Sequence, residues 1–141
     1  KKTNIAGADG FSLIVSNFMT TSDNTGYGNQ ISAQLGGKHF VIDTSRNGLG
    51  YTNQWCNPPG RALGTAPTTR TNVALVDAYL WVKTPGESDG DCGRGEPAPG
   101  VWWPDYALGL AQRAGYSKYE ARYIFECTGL FLSILGMTGG V

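Results

Sequence analysis

Three short apolar runs, each ending in polar residues, organise this chain. Phe11 to Phe18, His39 to Thr44 and Val76 to Val82 are rich in branched and aromatic side chains and bounded by turn formers. Runs of that length and composition predict buried strands. Between the first two, Thr25 to Leu35 reads as a short helix, with Ile31 and Leu35 four residues apart and Gly36-Gly37 as its stop. A strand, helix, strand order with a short crossover calls for parallel strands and an α/β class rather than a sandwich. Tyr51 to Thr71, with Pro58-Pro59-Gly60, is too dense in turn formers for regular structure and is expected to be a long ordered loop. An acidic loop, Thr84 to Gly100, then leads through Trp102-Trp103-Pro104 into a helix from about Asp105 to Ala114, with Leu108 and Ala111 facing the core. Lys118 to Glu126 has helical character, and Leu130 to Leu135 is almost wholly apolar. Too short and glycine-broken to span a bilayer, this end is expected to form a final helix packed beneath the sheet.

The polar residues after each strand point to a site. In α/β barrels the strands build the core and the loops at their C-terminal ends hold the chemistry. The third strand runs into Lys83, Glu87 and Asp89, the second into Asp43-Thr44-Ser45-Arg46-Asn47-Gly48, and the first ends near Asn17. Three strand ends are therefore expected to converge on one polar site.

Composition narrows the partner. The 141 residues carry 11 basic and 11 acidic side chains, a net charge of zero, with no Lys/Arg run. The electrostatic footprint of a nucleic-acid or anionic-membrane binder is missing, so a neutral partner is expected. One domain is the default at this length. With 21 glycines, four tryptophans and seven tyrosines, many loops and flat aromatic surfaces are expected, suited to stacking on sugars or to ordinary packing.

Of the three cysteines, Cys56 and Cys92 lie in glycine- and proline-rich loops and are expected to pair; two reduced, buried thiols are the alternative. A bridge over such a loop would stabilise the fold by roughly 3–4 kcal/mol and imply an oxidising compartment. No zinc-ligand spacing is present, and the single histidine, His39, reads as structural because nothing nearby makes it a ligand or base. No metal or cofactor is expected, and serine or cysteine nucleophile catalysis is poorly supported, since there is no second histidine, no Gly-x-Ser-x-Gly elbow and no glycine-rich phosphate loop of the usual spacing. Lys1-Lys2-Thr3-Asn4 is polar and no apolar segment comes after it, so no signal peptide is read here; if secreted, the chain is a mature or trimmed form.

Glu87, Asp89 and Asp91 lie close together, and like charges so near one another raise at least one carboxyl pKa, while Lys83 could hold one of them ionised. A solvated acidic loop or a calcium site are the other readings of the same residues. Arg46 and Arg61, in two different loops, could donate forked hydrogen bonds to carboxylates or sugar hydroxyls. Trp55 is either a loop-packing anchor or a sugar-stacking platform, whereas Trp102 and Trp103, beside a proline at a helix start, read as packing residues.

Four stretches in order carry a resemblance: Phe40-Val41-Ile42-Asp43-Thr44-Ser45-Arg46-Asn47-Gly48, Trp55-Cys56-Asn57-Pro58-Pro59-Gly60-Arg61, Asp77-Ala78-Tyr79-Leu80-Trp81-Val82-Lys83, and Pro85-Gly86-Glu87-Ser88-Asp89-Gly90. Over about residues 11 to 115 the chain resembles glycoside hydrolase family 6, the endoglucanases and cellobiohydrolases that cut β-1,4-glucan with inversion. The resemblance implies part of a distorted (β/α) TIM-like barrel with parallel strands. It makes residues 1–116 the C-terminal half of a catalytic domain and 117–141 a tail of unclear origin, helical and packed on it. By the same likeness Asp89 is the catalytic base, Lys83 and Glu87 hold the sugar at the cleavage point, and Asn17, Arg46, Trp55 and Arg61 lie near the substrate. Cys56 and Cys92 match the family's disulfide, with Asp91 interposed before the cysteine.

An inverting glycosidase also needs a general acid, about 6.5–9.5 Å from the base with water between them. In the family this acid is an aspartate from an earlier part of the barrel, which residues 1–10 do not contain. The expectation is thus an extracellular, endoglucanase-like protein acting on cellulose or β-glucan oligosaccharides, endo because the loop from Asp89 to Trp102 is short. Self-association or pairing with a complementary N-terminal fragment would cover the edges of a half barrel. A non-catalytic carbohydrate-binding fragment and a structural, self-assembling fragment are the alternatives.

Overall fold

The structure, a computed structural model, describes residues 5–13 and 15–127. A single 3-10 turn, Ile5–Gly7, precedes strand β1 (Gly10–Leu13), helix α1 (Thr21–Gln34), strands β2 (His39–Asp43) and β3 (Val76–Leu80), and helices α2 (Pro104–Arg113) and α3 (Lys118–Cys127). The three strands form one parallel sheet in the order β1-β2-β3. Thr68 pairs antiparallel with Tyr79 on the far side of β3, as an isolated bridge.

The strand positions match the apolar runs, but each strand is shorter than its run. β1 stops at Leu13 rather than continuing to Phe18, because the backbone turns through Ser16 at φ 70°. At β2 the apolar face, Phe40 and Ile42, packs with Leu13, Val76 and Tyr79 into one core cluster, and Phe11 stacks on Phe40 at 5.2 Å.

α1 begins at Thr21, four residues before the expected Thr25. Thr20 is the N-cap, its hydroxyl accepting from the Asp23 N–H at 3.1 Å. The helix buries Asn24, Gly28 and Ser32, a stripe of small and polar residues at four-residue spacing. An apolar-periodicity search passes over such a stripe, yet it lets the helix lie close on the sheet: a Cβ at Gly28 would stand 2.7 Å from Leu13 Cδ1 and collide with the Phe40 ring. The stop signal holds, with Gly36 and Gly37 at φ 69° and 84° and the Gly37 N–H donating to Ser32 O.

Residues 51–71 form the expected irregular loop, moored to β2 and β3. Thr44 Oγ1 donates to Thr65 O, the Gly64 N–H to Thr44 O, and the Trp81 indole N–H to Thr65 O. α2 starts on Pro104, where a missing N–H costs nothing, and buries Tyr106, Ala107, Leu110 and Ala111. Leu108 is partly buried against the same cluster. α3 opens with a capping box, the Ser117 N–H donating to Glu120 Oε2 and the Glu120 N–H to Ser117 Oγ. Its Ala121 and Phe125 join the α2 cluster, where Trp102 meets Phe125 edge-on at 5.3 Å and Trp103 stacks on Tyr106, so both tryptophans pack as expected. The final helix expected over Leu130 to Leu135 lies outside the described residues. Among the described residues no helix is long and apolar enough to cross a membrane.

Candidate active site

The ends of all three strands meet at the carboxylate of Asp43, the last residue of β2 and 2% exposed. Its Oδ2 accepts the Ser16 N–H at 2.8 Å and the Lys83 N–H at 3.1 Å, and its Oδ1 accepts the Ser45 N–H at 2.9 Å. Each bond comes from a different strand end. A charge buried without such partners would be strongly unfavourable; with three amide donors it ties the segments after β1, β2 and β3 together.

Three residues on, Arg46 is fully buried and reaches across to Asp89, whose side chain is 8% exposed. The pair is bidentate, Nη1 donating to Oδ2 at 2.8 Å and Nη2 to Oδ1 at 3.0 Å. Nη2 also donates to the backbone oxygen and hydroxyl of Ser16, and the guanidinium lies 4.4 Å over the Phe18 ring. Lys83 Nζ stands 3.8 Å from Asp89 Oδ1 and 3.6 Å from Glu87 Oε2, at the mouth of the cluster. Behind it, burial raises the Tyr106 hydroxyl above its ordinary pKa, against the opposing pull of the Arg46 charge. The expected convergence of Arg46, Lys83, Glu87 and Asp89 is therefore real.

Asn57, which sequence reasoning passed over, holds Asp89 from the other side. Its N–H donates to Asp89 Oδ2 at 2.9 Å, while its side-chain oxygen accepts the Asp89 N–H at 2.7 Å. The amide nitrogen donates to Gly90 O, Ser88 Oγ and Glu96 Oε2. Its backbone sits at φ 40°, a conformation asparagine tolerates. Beside it Cys56 is bonded to Cys92, as expected, fastening this turn to the acidic loop. Among the described residues the cluster closest to a metal-ligand set is Cys56, Cys92 and Glu96, and its two sulfurs are joined to each other.

In the acidic loop the Oδ1 of Asp91 accepts the N–H groups of Arg94, Gly93 and Gly95, which hold its carboxyl below its ordinary value. Those three bonds make it the cap of its own turn. For Glu96, burial pushes the carboxyl up, but hydrogen bonds from Asn57, Arg94 and the Cys92 N–H, with the Arg94 charge, outweigh it and bring it below its ordinary value. Both groups favour the folded loop while ionised, so their contribution is complete above their unfolded values of 3.8 and 4.5 and is lost as the pH falls through the lower folded values. The amide signals of Cys92, Gly93, Arg94 and Gly95 are accordingly expected to stay fixed from neutral pH down to 4.5 and to move together below it. A transition beginning near neutrality would contradict this account.

The remaining candidates lie around the cluster. Trp55 is 71% exposed, which removes the loop-anchor reading and leaves a bare indole face. Arg61 braces the preceding turn, its Nη1 donating to Leu49 O and Gly50 O, and does not touch Asp89. Asn17 folds its side-chain oxygen back onto the Phe18 and Met19 N–H groups, leaving its amide nitrogen as the donor it can offer. His39 does have a carboxylate partner, Asp77 at 2.7 Å, but the pair is exposed and stands at the opposite end of β2 from Asp43. A groove of about 760 Å³ beside Asn47, lined by Thr20, Gly50, Gly64 and Arg113, does not include Asp89.

Parallel strands whose C-terminal ends converge on a clasped carboxylate make an α/β site of the kind that barrels and open parallel sheets both carry. The family model described as "Glycosyl hydrolases family 6" matches residues 1–114, and the chain belongs to that family. Its sheet and helices are part of the family's distorted TIM-like barrel. Endoglucanase A of Cellulomonas fimi is 57% identical over 107 residues, covering 76% of this chain and 24% of that protein. Endoglucanase 1 of Streptomyces halstedii is 47% identical over 106 residues, covering 71% of this chain and 32% of that one. Among solved structures, the endoglucanase Cel6 from Mycobacterium tuberculosis, in complex with methyl-cellobiosyl-4-deoxy-4-thio-β-D-cellobioside, superposes with a TM-score of 0.77 at 56% identity, covering 80% of this chain and 40% of that one. The chain thus spans about a quarter to a third of the length of these two curated relatives.

Proposed function

We propose that this chain is the C-terminal half of a family 6 catalytic domain, residues 1–116 with a tail at 117–141, and that it serves the inverting hydrolysis of β-1,4-glucosidic bonds in cellulose or related β-glucans. The observation that carries this is the clasped carboxylate of Asp89 at the strand ends, in a chain whose matching relatives include endoglucanases and cellobiohydrolases. Asp89 Oδ2 is occupied by Arg46 and Asn57, whereas Oδ1 receives one Arg46 bond and otherwise faces Lys83 at 3.8 Å. A water approaching from the Lys83 side reaches Oδ1 and gives up its proton there as it attacks the sugar; beyond about 3.5 Å, a bridging water is the natural link between two polar groups.

Lys83 and Glu87 take hydroxyls of the sugar at the cleavage point, and the bare Trp55 face stacks a neighbouring ring, with Asn17, Arg46 and Arg61 shaping the surrounding loops. The general acid comes from the portion of the domain that these 141 residues do not span. An endo mode fits the short loop after Asp89, whose two ends are tied together by the Ser88–Val101 and Gly100–Ser88 backbone bonds. The disulfide suits an oxidising, extracellular setting.

Reducing-sugar release from carboxymethyl cellulose, measured with the chain completed by the N-terminal part of a family 6 domain that supplies the acid, in its native and Asp89→Asn forms and with the mass in solution checked, tests the reading. The asparagine keeps one oxygen for Arg46 but sets an NH2 group against the other bond and leaves the buried guanidinium without its counter-charge, so folding of the variant is checked alongside release. Release is expected to fall about 100-fold or more in the variant, the scale of a lost general base. Equal release by both forms would remove Asp89 as the base. Oligosaccharide binding without any release would make the chain a binding fragment.

A further inference from the structure

Asp43 has a place in this site that the catalytic reading does not give it. Its three amide partners belong to the three segments from which the Asp89 clasp is built. Ser16, after β1, accepts Nη2 of Arg46 on both its backbone oxygen and its hydroxyl, at 2.9 and 3.1 Å. Ser45, after β2, directly precedes Arg46 in the chain. Lys83, after β3, carries the ammonium that faces Asp89 and Glu87. Ser16 lies at φ 70°, a left-handed conformation that is strained for a non-glycine residue and persists only where surroundings impose it. Here they do so from both sides, since Asp43 takes the Ser16 N–H and Arg46 takes its oxygens.

We propose that Asp43 is a positioning residue for the hydrolytic reaction. Its carboxylate fixes Arg46 and Lys83 relative to one another, and through them the orientation of Asp89, without touching the substrate. This rests on the reading of Asp89 as the base. The demand is for a carboxylate in particular, because both oxygens accept. Asparagine supplies one accepting oxygen, so either the Ser45 N–H or the Ser16 and Lys83 pair then meets an NH2 group.

The test compares Asp43→Asn with Phe40→Leu, which loosens the same strand at a core position that touches none of the three amides. Misplacement of a reacting group by about 1 Å costs up to roughly 100-fold, so, with the acid-supplying part of the domain present, Asp43→Asn is expected to lower kcat about 10–100-fold on a cello-oligosaccharide with KM changed less than about threefold. Phe40→Leu should leave kcat within about twofold. Independently of turnover, the NMR signals of the Arg46 guanidinium should move in Asp43→Asn and stay in place in Phe40→Leu. Equal effects of the two variants on kcat and on the Arg46 signals would overturn the proposal, as would a KM increase at unchanged kcat.

Should Asp43→Asn not fold, hydrogen exchange of the unmodified chain decides. The Ser16, Ser45 and Lys83 amides are expected to exchange as slowly as those of β2, and rapid exchange at any of the three would overturn the assignment. Full activity in Asp89→Asn would remove the base reading alone, since the Arg46 signals and the exchange rates report on Asp43 whether or not the chain turns over.

Discussion

Arg46→Ala is expected to lower the stability of this chain by about 3–5 kcal/mol, the range for removing one partner of a buried ion pair. The guanidinium is fully buried and makes both bonds to Asp89 and two to Ser16, so its removal strands the Asp89 charge under an 8% exposed side chain and frees the left-handed turn at Ser16. Most of the loss is the burial of a carboxylate left with only Lys83 at 3.8 Å and the Asn57 N–H as partners, rather than the worth of the pair itself. Arg46→Lys is expected to recover less than half of it, because one ammonium cannot reach both Asp89 oxygens and Ser16 together. Urea unfolding at neutral pH measures this. A loss below about 1 kcal/mol in Arg46→Ala would mean that the pair is effectively solvated, as for an exposed bridge.

Opening the Cys56–Cys92 disulfide should cost nearly as much. The bridge closes a loop across 36 residues of chain, for which the loop-entropy relation gives about 4 kcal/mol. The folded state loses something as well, since the turn at Asn57, which bonds Asp89 at 2.9 and 2.7 Å, is held to the acidic loop by this bridge. Urea midpoints measured with and without a thiol reductant, and again in a Cys56→Ser, Cys92→Ser pair, should agree on the size of the effect. An unchanged midpoint would show that the unfolded loop is restrained by something other than the bridge.

Legibility differed from residue to residue. The alternation and length of the apolar runs located β2 almost to the residue, since Phe40 and Ile42 face one core whatever their neighbours are. α1 was half legible: its stop is written in Gly36-Gly37, but its start lies in a polar stretch and its buried face is Asn24, Gly28 and Ser32. Those residues face the sheet because they are small, a property that matters only once a sheet is there to approach. At the site, Arg46, Lys83, Glu87 and Asp89 could be picked out as charges in loops after strands, whereas Asp43 resembled the last residue of a strand and Asn57 one more turn former. The roles of these two are bonds to segments 27 to 40 residues away, which no local pattern encodes.

The α/β class, the parallel order of the strands, the disulfide partners and the family were all legible in the amino-acid order, because each rests on local periodicity, turn chemistry or motifs read along the chain. How each carboxylate is bonded was decided only by the folded arrangement. Asp43, Asp89 and Asp91 are the same side chain in three surroundings. One is tied to three strand ends, one is clasped by a buried guanidinium, and one caps its own turn. The physical reason is that a carboxylate's behaviour is set by the donors and charges within a few ångströms of it, and the fold, far more than proximity in sequence, brings them there.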